Sequence, residues 1–106
     1  MRWAKENMPA NDLIAKLDAV SDEATLVEFI DALAADREDE VQKEKKKASS
    51  PYGPGANGWE NSSIEAFLAA ASAWATSSQN GLPLYEKPQN PWKRVADILY
   101  AGKIYE

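Results

Sequence analysis

The 106-residue sequence contains no cysteine and no histidine. Lack of cysteine removes disulfides, thiol nucleophiles and zinc fingers, and lack of histidine removes the Ser-His-Asp triad. Positive charge is scarce as well. Twelve Lys or Arg stand against 17 Asp or Glu, a net charge of −5, which argues against nucleic acid as a partner for the surface as a whole. No apolar run approaches the roughly 20 residues needed to cross a bilayer, so no membrane partner is expected. Met1 to Ala10 is charged and has no apolar leader segment, and a cytoplasmic setting follows as the expectation. Glu106 is expected to be the natural C-terminus.

Apolar residues make up 44% of the chain. One domain over residues 1–106 with its own core is the expectation at this length. Charge is uneven along it. Residues 1–42 hold eleven acidic and four basic side chains, whereas Lys43-Glu44-Lys45-Lys46-Lys47 is strongly basic. That polarity falls on one predicted helix, from about Asp22 to Lys47, and complements its dipole. Ser21 is the expected N-cap. Leu26, Phe29, Ile30 and Leu33 form an apolar stripe that thins beyond Ala34, so the second half is expected to project into solvent or fray. A shorter helix, Asn11 to Asp18, precedes it with Leu13, Ile14 and Leu17 on one face.

Residues 48–61 are a Pro/Gly-rich loop that neither helix nor central strand tolerates. A third helix follows over 62–80. Ser62 and Glu65 have the spacing of a capping box, Ile64, Phe67, Leu68, Ala71 and Trp74 share a face, and Asn80-Gly81 is the stop. Pro83 and Pro88 keep the connector 82–90 from forming regular helix. The last helix has Asn90 as cap, Pro91 in its first turn, a stripe of Trp92, Val95, Ala96, Leu99 and Tyr100, and Gly102 as its end. No strand pattern survives more than four residues. The reading is all-α: a small bundle of three main helices plus a short N-terminal helix. Its expected core is the stripes above, Ile30, Ile64, Leu68, Trp92 and Val95 included.

Chemistry-bearing patterns are few. Gly53-Pro54-Gly55-Ala56-Asn57-Gly58 spells G-x-G-x-x-G, but no strand precedes it and Pro54 removes an amide, so no nucleotide cofactor is expected. Asp36, Asp39 and Glu40 share a helical face and have the oxygen chemistry of a Mg2+ or Ca2+ site. Glu28-x-x-Asp31 and Asp36-x-x-Asp39 resemble half of the carboxylate set of helical nucleotide pyrophosphohydrolases. The facing helices offer only Glu65 and Asp97, so no catalytic and no metal-ligating residue is assigned, and the carboxylates are expected to face water. Lys43 to Lys47 reads as a solvated helix end. Tyr52 and Trp59, outside the helices, are expected with Asp36, Asp39 and Glu40 to form a surface for a protein partner.

Trp59-Glu60-Asn61, then Ile64-Glu65, Phe67-Leu68 and Trp74, with Pro91-Trp92, Ala96-Asp97-Ile98-Leu99 and Lys103-Ile104-Tyr105-Glu106, resemble a family of small bacterial proteins of unknown function. The resemblance covers roughly residues 22–106 and implies a helical fold but no activity and no catalytic residues. The functional expectation is therefore a non-enzymatic, protein-binding domain, of the kind an acidic immunity protein or antitoxin uses against a basic target. The alternatives are a metal-dependent hydrolase working through the second-helix carboxylates and a self-associating structural domain.

Overall fold

A computed structural model describes residues 10–106. The charged stretch Met1–Pro9, whose composition argued against a leader, lies outside them. Four helices follow in order: α1 Ala10–Asp18, α2 Glu23–Lys46, α3 Ile64–Ser77 and α4 Pro91–Ile104. No strand occurs among the described residues, and the all-α bundle with a short first helix is the observed fold.

Local chemistry sets each helix start. Asp22 caps α2 where Ser21 was expected. Its carboxylate accepts the Thr25 amide at 2.9 Å, and the Thr25 hydroxyl accepts the Asp22 and Ser21 amides at 3.0 and 2.8 Å. Thr25 closes this box because its hydroxyl both accepts and donates. The cap of α3 is displaced by one residue in the same way. Ser63 rather than Ser62 accepts the Ala66 amide, so Glu65 falls one position short of a capping box. For α4 the expected start holds: Asn90 accepts the Trp92 and Lys93 amides and donates to the Ser21 carbonyl, tying the starts of α4 and α2 together.

Helix α4 is the hub. It packs on α3, α2 and α1, and α1 packs on α2. Leu13, Leu17 and Val20 meet Leu26, Phe29 and Leu33 of α2 and Ala96 of α4, with Phe67, Leu99 and Tyr100 at the margin. Each large side chain so buried contributes about 1.5–3 kcal/mol. The end of α4 departs from expectation. Gly102 does not terminate the helix but lies within it, because the Phe67 ring rests on its backbone: an added Cβ would meet that ring at 2.7 Å. The expected core also shrinks. Ile30, Ile64, Leu68, Trp92 and Val95 are exposed. Helix α3 approaches α4 through the small faces of Ala70 and Ala71, and this leaves Ile64 and Leu68 beside the contact rather than in it.

The second half of α2 neither projects nor frays. Asp36 and Glu40 are buried on it, and the 48–61 loop folds back along it. Within the connector, Leu82 and Tyr85 exchange backbone hydrogen bonds around a tight turn. Gly81 enters that turn with φ of +83°, a left-handed conformation that favours glycine. Among the described residues no helix is long and apolar enough to cross a membrane.

Candidate functional site

Three places combine side-chain chemistry with space, and the first is full. Asp36, 1% exposed, turns one carboxylate oxygen to both the Trp59 indole N–H at 2.8 Å and the Lys103 ammonium at 2.7 Å. One turn on, Glu40 accepts the Asn57 amide at 2.8 Å and the Trp59 amide at 3.3 Å on one oxygen and Arg37 at 2.8 Å on the other. The Arg37 guanidinium and Lys103 ammonium lie 5.8 and 5.6 Å from the Trp59 ring centre, at cation–π distance. Further out, Glu44 accepts the Ser49 hydroxyl and the Ser49 and Ala56 amides. The Ser49 hydroxyl, and after it the Ser49 amide, holds that carboxyl below its ordinary range. Asn57 bridges the Asp36 carbonyl and the Asp39 carboxylate, and Asp39 is lowered chiefly by this amide, with Lys43 adding to it against partial burial.

The chemistry of this cluster is adhesion. Buried carboxylates persist only when paired and hydrogen-bonded, and here the donors are the loop's backbone, an indole and three cations. Asp36 and Glu40, expected to face water, are interior because the loop and α4 bring donors to them. Trp59, expected at the surface, is 7% exposed for the same reason, while Tyr52 stands in the open at 96%. The five expected partner-binding residues do not form one surface. Neither Lys103 nor Asn57 was singled out from sequence. A readable signal existed for Lys103, which falls seven residues after buried Ala96 and so in phase with the stripe of α4. Among the described residues no group of three or more carboxylates is arranged to hold a metal ion.

The second place is a cleft of about 510 Å3 beside the C-terminus, lined by Trp74, Tyr85, Lys93, Asp97 and Tyr100 among others. Its polar groups answer one another. Asp97 accepts the Tyr85 hydroxyl at 2.6 Å and Lys93 at 2.5 Å. Arg94 donates to the Ser78 hydroxyl and the Ala75 carbonyl, covering the exposed end of α3. Burial, and then the bond to Asp97, pushes the Tyr85 phenol up. The result ties the connector to α3 and α4.

The third place is open. Among the described residues α2 and α3 do not pack on each other. The space between them is a groove of about 490 Å3 with Ile30 and Ala34 on one wall and Ile64 and Leu68 on the other. Leu33, Phe67 and Leu99 form its floor, and Arg37, Trp59 and Ser62 close one end. Ile64 is 77% and Leu68 57% exposed. Arg37 also donates to the Ser62 carbonyl and so holds that end shut. Its lining is mostly aliphatic and aromatic, with Asn61, Ser62, Ser63 and Arg37 as its polar residues, so the chemistry it offers is chiefly the burial of apolar surface.

The Trp59-Glu60-Asn61 segment links these places. Trp59 is the indole of the ion cluster, the Glu60 amide donates to the Lys103 carbonyl, and the Asn61 side chain donates to the Gly102 and Tyr105 carbonyls. Those two bonds satisfy acceptors at the end of α4 and pin the loop beneath the groove. No curated protein and no solved structure matches the chain. Residues 22–106, which span α2, α3, α4 and the segments between them, match the model of a family of unknown function, DUF7660, and the chain belongs to that family.

Proposed function

We propose that this protein is a non-enzymatic binding domain whose α2–α3 groove receives the apolar face of a protein partner. One observation carries the reading: two neighbouring helices leave large aliphatic side chains exposed on both walls of a shared cleft instead of burying them in each other. Soluble monomers rarely leave a contiguous apolar patch open without a use for it. Two helical walls over an apolar floor are also the form in which a groove takes up a helix. The buried carboxylates support the same reading from the other side, since Asp36 and Glu40 already hold protein donors.

Photocrosslinking in cells that naturally make the protein tests this. A photoreactive residue in place of Leu68 is expected to give a discrete adduct with a second protein. The same residue in place of Ala35, exposed on the opposite side of α2, is expected to give none. Absence of an adduct from position 68, or the same adducts from both positions, would overturn the reading.

A further inference from the structure

We infer that the occupant of the α2–α3 groove is a basic amphipathic helix of another protein, an inference that rests on the groove's being a docking site. The argument is one of charge and length. On α2, Ile30 and Ala34 line the groove wall, and exposed Val27 and Glu23 lie at helical spacing three and seven residues before Ile30. Beyond that line, Asp31 and Glu38 fall four residues after Val27 and Ala34, and both are exposed. Across the groove, exposed Glu65 follows Ile64 on the outer side of α3. The rim is therefore acidic on both walls. Among the described residues the one cation lining the groove, Arg37, is engaged by Glu40 and the Ser62 carbonyl.

An apolar floor between acidic rims complements a helix with an aliphatic stripe flanked by lysine or arginine. The groove runs along α2 from Ile30 to Arg37 and along α3 from Ile64 to Leu68, about 10 Å at 1.5 Å per residue, a span that about two turns of a partner helix would match. Charge also chooses among occupants. A second copy of this chain brings a net charge of −5 toward −5 and the same carboxylates toward the same rims. A basic helix relieves that repulsion.

Two labelled peptides test this by fluorescence anisotropy. They share one leucine stripe and carry either lysine or glutamate on the polar face. The lysine peptide is expected to bind at least about tenfold more tightly, with the advantage shrinking as salt rises. Leu68→Glu, and independently Ile64→Glu, is expected to abolish binding; both positions are exposed, so the fold has little reason to fail. Asp31→Lys combined with Glu38→Lys and Glu65→Lys is expected to reverse the preference. Equal binding of both peptides, still lost in Leu68→Glu, overturns the basic partner and leaves the docking groove standing. Binding of neither overturns the basic helix; if crosslinking from position 68 is absent as well, the groove reading falls with it. A dimer seen by light scattering and dissolved by Leu68→Glu overturns the inference in favour of a second copy. Binding that emerges only after removal of residues 1–9 overturns it in favour of the chain's own segment.

Discussion

The two halves of α2 do the same job with opposite chemistry. From Glu23 to Leu33 the helix is held by Leu26, Phe29 and Leu33 against α1 and α4. From Asp36 to Glu44 it is held by carboxylates that grip the loop 49–59 and Lys103. The phase is continuous: Asp36 and Glu40 follow Phe29 and Leu33 by seven residues each. The first half buries surface that water rejects, so its stability is spread over many weak contacts. The second half buries charge that water prefers, so its stability depends on each partner being present. Loss in the first half should be graded, and in the second it should be abrupt.

The largest expected effect lies in the polar half. Lys103→Met leaves the buried Asp36 side chain without its ammonium partner and is expected to cost about 3–5 kcal/mol, as much as truncating the fully buried Phe29 to alanine. The two positions differ in what a second change does. Adding Asp36→Leu to Lys103→Met is expected to return part of the loss, giving a coupling of about 1–3 kcal/mol in a double-mutant cycle, with the Trp59 indole N–H left unpaired as the residual cost. Urea denaturation of the four proteins measures it. Additive losses would mean that the pair does not act as a unit, and the contrast between the halves would collapse.

That contrast also marks what could be read in advance. The apolar stripes of α2 and α4, the Asn90-Pro91 start and the helical class were legible because hydrophobic periodicity and capping are local signals. The ion cluster was not, because a carboxylate on a helix looks the same whether water or a folded loop will face it. Only the phase of Asp36, Glu40 and Lys103 hinted at burial. The groove was hidden for a different reason. Periodicity placed Ile64 and Leu68 on the apolar face of α3 correctly, but whether a second helix covers that face is decided by how α3 leans on α4. Alanines at 70 and 71, with Gly102 beneath Phe67, set that lean.

Two glycines offer a matched comparison at intermediate scale. At Gly102 in the apolar interior, alanine gains about 1 kcal/mol of helix propensity but meets the Phe67 ring at 2.7 Å, an overpacking cost of about 1–3 kcal/mol. A net loss near 1 kcal/mol is expected. At Gly55 an added Cβ falls on the Glu40 carboxylate, which Arg37 and two amides hold in place. Displacing it strands those donors, and a larger loss of about 1–3 kcal/mol is expected. Denaturant midpoints decide the order. If Gly55→Ala is the milder change, the loop does not depend on Glu40 as described.

The smallest effect is the one most specific to the polar half. Glu44 and Asp39 are held below their ordinary carboxyl values by bonds to Ser49 and Asn57. A carboxyl lowered in the folded state adds stability that is complete above its unfolded value, about 4, and is lost as pH falls through the lower folded value. Acid should therefore loosen the loop's grip on α2, whereas Leu26, Phe29 and Leu33 hold no proton to exchange. Glu44→Gln keeps an oxygen for one of the Ser49 and Ala56 amides, which bond to opposite oxygens of the carboxylate, and removes the titration. Its unfolding free energy, followed from neutral pH to about 3, is expected to fall less steeply than that of the natural protein. An unchanged slope would show that the loop's hold on Glu44 is not linked to folding, and that the carboxylates beyond Glu40 are ornament to a helix stabilised from its other end.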